Sequence, residues 1–315
     1  MYHKANIDLS EPELPVIPGN SPFVLENETR YRQWRDHKLQ LRSELDPVEI
    51  LRIDAENSLA EANSESLKRQ IEAYNFVLYE FDSCSEQSVK QNFLNFNQKF
   101  GLDDFEVRSD ADSSGVSELK EVGPDDNRSQ YVPYTNRRLN WHTDGYYNLT
   151  QQQINAFALY CVHPAAKGGG NYVFDHELMY IRIRDTAPEL IAALMAHDLM
   201  VIPANIQANK VVRPEKSGPV FSICPRSGAL HMRYSARPRN IGWKSDKVSK
   251  RAINLIREIL IDDSAVIEFE LDAGQGIICN NILHGRKAFT DADATRSRLL
   301  YRVRYLDSIS FSNPA

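Results

Sequence analysis

His142 and Asp144 stand two residues apart in Asn140-Trp141-His142-Thr143-Asp144-Gly145. On an extended strand, residues i and i+2 project from one face, so this spacing sets an imidazole beside a carboxylate. A second imidazole would complete two histidines and one carboxylate, the donor set that holds non-haem Fe(II) with positions left open. His284, in Ile282-Leu283-His284-Gly285-Arg286, is the candidate. His-x-Asp recurs by chance. Here its flanks are aromatic and strand-like, and arginines follow the downstream histidine at fixed offsets.

Those arginines lie in Ser297-Arg298-Leu299-Leu300-Tyr301-Arg302-Val303-Arg304-Tyr305. Leu299, Tyr301, Val303 and Tyr305 form an apolar face suited to packing on helices, and Arg298, Arg302 and Arg304 share the other. In a barrel the face opposite the helices is the interior, where an unpaired guanidinium costs about 3–5 kcal/mol. Inward arginines therefore call for inward anions. A dicarboxylic co-substrate beside a metal would supply one, held bidentately by Arg298. Arg302 needs another: the near carboxylate of the same ligand, an acidic substrate or a protein carboxylate.

The elements around these residues are short and irregularly mixed. Periodicity predicts helices over 31–42, 66–74, 85–100 (stopped by Gly101) and 247–261. Thr186-Ala187-Pro188-Glu189 reads as a capping box opening an apolar helix through Leu190, Leu194 and Met195. Strands are expected over 75–81, 155–163, 266–271, 276–280 and 297–306. The Asp- and Ser-rich stretch 107–129 reads as a mobile loop or a lid, and 54–65 as a polar link. Strands and helices without regular alternation exclude a doubly wound sheet. They predict a mainly β fold, a barrel or jelly roll buttressed by helices, able to bring distant residues around one cavity.

The 315 residues carry a net charge of −6, 42% hydrophobic and 25% charged side chains, ordinary for a soluble globular chain. That balance argues against nucleic acid as the main partner, and no basic block suggests a membrane surface. Neither a signal peptide nor a membrane span is expected, and cytoplasmic residence fits. Cys84, Cys161, Cys224 and Cys279 lack metal-ligand spacing and read as free thiols.

With these motifs quoted, His142-Thr143-Asp144, His284-Gly285-Arg286 followed by Phe289, and Arg298 fourteen residues past His284, the chain resembles the Fe(II)/2-oxoglutarate dioxygenases of the taurine dioxygenase-like group. That group includes γ-butyrobetaine hydroxylase, clavaminate synthase and bacterial glutarate hydroxylase. The resemblance covers roughly residues 130–306. It implies a double-stranded β-helix (jelly roll) core there, with 1–129 supplying an N-terminal arm, helices and strands packed on it in one 1–315 domain. It implies His142, Asp144 and His284 as iron ligands and Arg298 as the clamp on 2-oxoglutarate. Arg302 would meet the substrate's acidic group or the other end of the co-substrate. The implied reaction consumes O2 and 2-oxoglutarate, releases succinate and CO2, and oxidises a C–H bond of a small anionic or amino-acid-like substrate. Family members often carry Gly-Gly-Asp/Asn-Thr/Ser, whose hydroxyl helps bind 2-oxoglutarate. This chain has Gly169-Gly170-Asn171-Tyr172, so Asn171 and Tyr172 are candidates in which a phenol replaces a small hydroxyl. Asp144 separates the chain from relatives that bind halide in place of the carboxylate.

Tyr146, Tyr147 and Asn148 follow the metal motif as candidate substrate contacts, with core packing as the alternative. Arg233, Arg237 and Arg239 are a candidate substrate lid or a solvated loop. Asn280 and Asn281 read as supports of the metal strand or as turn residues. His163, His176, His197 and His231 read as structural. Two other function classes use the same residues: a jelly-roll protein that binds a small anion without turnover, and a zinc hydrolase with an activated water. Self-association is left open.

Overall fold

The computed structural model describes residues 21–54, 61–82, 88–148, 152–207, 210–224, 227–237, 239, 241–292 and 297–311. Most of the expected N-terminal arm lies outside them. Two sheets carry the architecture. One has six strands in the order Ile50–Ile53, Phe76–Phe81, Gln275–Cys279, Ala156–His163, Leu299–Tyr305, Ser117–Leu119. The other has four: Ile267–Phe269, Asn171–Phe174, Leu283–Arg286 and Leu139–His142. Neighbours pair antiparallel throughout both sheets except Ile50–Ile53 with Phe76–Phe81, which run parallel. This is the expected mainly β class, a double-stranded β-helix core buttressed by helices.

The period of two along each strand decides what faces what. On one face of the larger sheet, Val77, Tyr79, Tyr160, Ile278, Val303 and Tyr305 join a core with Leu67 and Ile71 of the helix Glu61–Tyr74 and Phe93 and Phe96 of the helix Val89–Gln98. Phe157, Ile277, Cys279 and Leu300 turn the other way, into a core shared with Val173 of the smaller sheet. Burying Val303 and Tyr305 under the helices stabilises by about 1.5–3 kcal/mol for each such side chain. Strict alternation then sends Arg302 and Arg304 inward with Leu300. A slip of one residue would reverse every one of them. A third core packs the helices His176–Thr186, Glu189–Leu194 and Lys247–Asp262 through Leu178, Ile183, Leu190, Leu194, Ile253 and Ile256.

Three expectations change. The capping box does not form: Thr186 ends the helix His176–Thr186, which Asp175 caps through Glu177 N, and Pro188 precedes Glu189–Leu194 without a side-chain cap bond. Residues 61–65 of the expected polar link are helical. The stretch 107–129 contains the edge strand Ser117–Leu119 and a 3-10 turn at Asn127–Gln130. The helix expected over 85–100 is described as Val89–Gln98, with Gly101 beyond it at φ 69. Cys161 and Cys279 are buried free thiols.

Candidate metal centre

His142 closes the strand Leu139–His142, and His284 lies directly opposite it in the antiparallel register with Leu283–Arg286. Their ring centroids are 4.2 Å apart. Asp144 is not on the strand. The chain leaves extended geometry after His142, held by Thr143 N donating to Tyr234 O at 3.0 Å, and Asp144 falls in the following turn. Gly145 makes that turn possible at φ 65, where an added Cβ would stand 2.4 Å from Ile154 Cγ1. The carboxylate is thus placed by a turn, with the same outcome that strand spacing predicted. The ligating atoms of His142, Asp144 and His284 all lie within 4.8 Å of one another.

Asn281 fixes the turn from the other side. Its side-chain Oδ1 accepts from Asp144 N at 2.8 Å, and its Nδ2 donates to Asp144 O at 2.9 Å and Ile154 O at 2.7 Å. Its backbone sits at φ 35, uncommon for a residue with a Cβ but favoured by Asn. Asn280 donates to Asn75 Oδ1 at 3.0 Å, tying the same corner to the interior.

Both histidines are prepared as ligands. His142 Nδ1 faces Asn140 O at 2.9 Å and His284 Nδ1 faces Ile282 O at 2.8 Å. A carbonyl only accepts, so each Nδ1 carries the proton and each Nε2 presents its lone pair. Burial holds the His142 imidazole down to about 3, helped by His284, and burial also lowers His284. Both rings are neutral, as metal binding requires. Burial alone would raise Asp144, but the Arg302 and Arg304 guanidiniums hold it below the usual carboxylate range. Its Oδ2 is buried, with no hydrogen-bond donor among the described residues. Two neutral imidazoles, one ionised carboxylate and one orphaned carboxylate oxygen fit an iron(II) ion.

Beside the triad is a small cavity lined by His142, Asp144 and His284 together with Arg286, Arg298 and Arg302. Arg298 and Arg286 both lie over the Phe289 ring, at 5.1 and 4.8 Å. They differ in satisfaction. Arg286 donates to Thr135 O, Arg137 O and Pro133 O. None of the described residues gives Arg298 a hydrogen bond, and burial holds its pKa down to about 10. Arg302 Nη1 and Arg304 Nη1 stand 3.7 Å from opposite oxygens of Asp144.

Residues 42–304 match the family model described as "Taurine catabolism dioxygenase TauD, TfdA family". The chain belongs to this family. It is an Fe(II)- and 2-oxoglutarate-dependent dioxygenase, and that membership decides among the three readings the triad left open. The chain is 28% identical over 245 residues to a uridine-5'-phosphate dioxygenase from a Streptomyces species, covering 74% of this chain and 85% of the relative. A second uridine-5'-phosphate dioxygenase, from an Amycolatopsis species, is 26% identical over 179 residues, 55% of this chain and 62% of the relative. Among solved structures, an asparagine oxygenase with Fe(II), hydroxyasparagine and succinate superposes with a TM-score of 0.55 at 15% identity, covering 78% of each chain. The non-haem iron oxygenase OrfP, with Fe, succinate and hydroxyarginine, gives 0.60 at 14% identity, covering 82% of this chain and 83% of that one.

In this dioxygenase the structure brings Asn171 to the cavity wall. It turns the Tyr172 hydroxyl away, to donate to Leu139 O at 2.6 Å. Tyr146, Asn148 and Arg233 are tied to neighbours: Arg233 Nε donates to Tyr146 O at 2.6 Å, and Asn148 Nδ2 to Glu106 Oε1 at 2.8 Å. Arg237 Nη1 meets the Tyr146 hydroxyl at 3.3 Å. His176 bonds Leu230 O, in keeping with a structural role. The sequence reading missed Glu106, Arg108 and Asp110, which meet Arg304, Tyr147 and Tyr134 near the centre. In sequence only their spacing of two, Glu106-x-Arg108-x-Asp110, hints at a shared face, and it reads equally as solvated charge. No helix among the described residues is long and apolar enough to cross a membrane.

Proposed function

We propose that this dioxygenase hydroxylates an aliphatic C–H bond of a small substrate bearing an oxyanion, and that Arg302 receives the charge of that anion. Iron bound by His142, Asp144 and His284 supplies, with 2-oxoglutarate and O2, the oxidising power for the C–H bond. The chain supplies placement. Arg298, buried and without a hydrogen bond among the described residues, is the clamp for the distal carboxylate of 2-oxoglutarate. Phe157, Leu159 and Leu300 line the same cavity and keep water from the reacting centre.

The observation that carries the substrate reading is the state of Arg302. It is 7% exposed, and among the described residues its Nε is buried without an acceptor and its nearest carboxylate is Asp144, which an iron ion would engage. A buried guanidinium in that state favours an anionic ligand. The two uridine-5'-phosphate dioxygenases make uridine 5'-phosphate the first compound to try, ahead of L-asparagine and L-arginine. The test is aerobic succinate formation with Fe(II) and 2-oxoglutarate against a panel of phosphate esters, carboxylates and amino acids. Stimulation by anionic members, lost in Arg302→Gln, supports the reading. Stimulation by neutral or cationic compounds alone overturns it.

A further inference from the structure

Two guanidinium groups converge on one phenol beside the metal centre. Arg304 Nη1 donates to the Tyr147 hydroxyl at 3.1 Å, and Arg108 Nη1 donates to the same oxygen at 3.2 Å. The two cations come from unrelated parts of the chain, the final strand and the segment before the edge strand Ser117–Leu119. Like charges brought to one neutral oxygen repel, so the arrangement persists only because carboxylates hold each guanidinium from behind. Asp110 accepts from Arg108 Nε at 2.6 Å and Nη2 at 3.4 Å. Glu106 pairs with Arg304 Nη2 and stands 3.9 Å from Arg108 Nη1. Each arginine spends its outer edge on a carboxylate and turns an inner N–H to Tyr147.

The phenol oxygen accepts twice and keeps a proton of its own. No described residue accepts that proton. Two cations on the oxygen polarise the O–H bond and make it a stronger donor. The position is close to the chemistry, because the Arg304 Nη1 that reaches Tyr147 also lies 3.7 Å from Asp144 Oδ1. Tyr147 is half-buried, three residues past Asp144 in the same turn.

We propose that the Tyr147 hydroxyl, set by Arg108 and Arg304, is the donor that receives an oxyanion of the primary substrate, with the charge balanced by Arg302. This rests on the reaction proposed above and deepens it. Glu106 and Asp110 neutralise the two orienting arginines, so the phenol reads the position of the oxygen while Arg302 reads its charge. The shared chemistry is that of a carboxylate or a phosphate monoester.

The test is calorimetric binding to the full chain loaded anaerobically with Fe(II). Binding of 2-oxoglutarate by the wild type comes first, and its absence overturns the dioxygenase reading itself. With 2-oxoglutarate bound, uridine 5'-phosphate, inorganic phosphate and acetate are then titrated. At least one should bind. Preference for the phosphates or for acetate distinguishes the two anion classes. Tyr147→Phe and Arg108→Gln should each weaken that probe about tenfold or more while still binding 2-oxoglutarate. Tyr147→Phe removes one oxygen and keeps the ring, so it decides the matter even where Arg108→Gln fails to fold. Binding of none of the probes by 2-oxoglutarate-loaded wild type, or unchanged affinity in Tyr147→Phe, overturns this proposal and leaves the reaction class standing.

Discussion

The Asn281 side chain holds both backbone polar groups of Asp144, accepting from its N–H at 2.8 Å and donating to its carbonyl at 2.9 Å. A side-chain amide therefore copies the pairing of a strand at the point where the metal-bearing strand has ended. Asn281→Asp keeps the acceptor and loses both donors to Asp144 O and Ile154 O. Supports of metal ligands typically contribute about 10–100-fold in metal affinity. That loss is expected in a Co(II) or Mn(II) titration of the variant. Wild-type affinity in Asn281→Asp would show that the turn holds without the clamp.

Arg298 offers a contrast between stability and binding. Among the described residues it has no hydrogen-bond acceptor, so the ligand-free protein carries it at a cost. Arg298→Met is expected to leave the thermal midpoint of the ligand-free protein unchanged or raise it. Added 2-oxoglutarate at 100 times Kd stabilises the wild type by about 2.7 kcal/mol. It should not stabilise the variant. A midpoint that falls several degrees without ligand would mean that Arg298 has a structural role.

Tyr172 divides its ring from its hydroxyl. The ring fills the space above Gly285, where an added Cβ would lie 2.2 Å from Tyr172 Cε2, and the hydroxyl serves Leu139 O. Tyr172→Phe should leave the KM for 2-oxoglutarate within about twofold and cost on the order of 1 kcal/mol in denaturant unfolding. Gly285→Ala, by contrast, should destabilise the strand that carries His284. A large rise in KM for Tyr172→Phe would place the phenol on the co-substrate after all.

His231 sets an acid limit away from the metal. Burial, then His176 and Arg233, hold its imidazole down to about 3, against about 6.5 for an ordinary histidine. The unfolded chain takes up this proton first as pH falls. The stability contributed by the neutral form is therefore complete above about 6.5 and lost progressively down to about 3. Denaturation midpoints of the metal-free protein should fall across that window, with a shallower slope in His231→Gln. Equal slopes would remove His231 from the account.

The convergence of His142, Asp144 and His284 was legible because few side chains suit iron and three of them stood in strand-like surroundings. The inward arginines were legible because alternation along the final strand left them one face. Asp144 does meet the two histidines, but by another route, since spacing of two describes a strand and the residue sits in a turn. The capping box at Thr186 failed because a cap is defined by where the previous helix stops, and Asp175 had already opened a helix that runs through Thr186. The segment around Arg108 was hidden by its composition. Glu106, Arg108 and Asp110 look like solvated charge in one dimension, and only pairing with Arg304 and Tyr134 makes them interior.

In many metal centres a second side chain chooses which ring nitrogen is free, so mutating that neighbour disables the ligand. Here the choice is made by main-chain oxygens two residues upstream of each imidazole. Drift in nearby side chains cannot switch the tautomer, and substrate-contacting positions can diversify around an iron grip that the polypeptide backbone itself enforces.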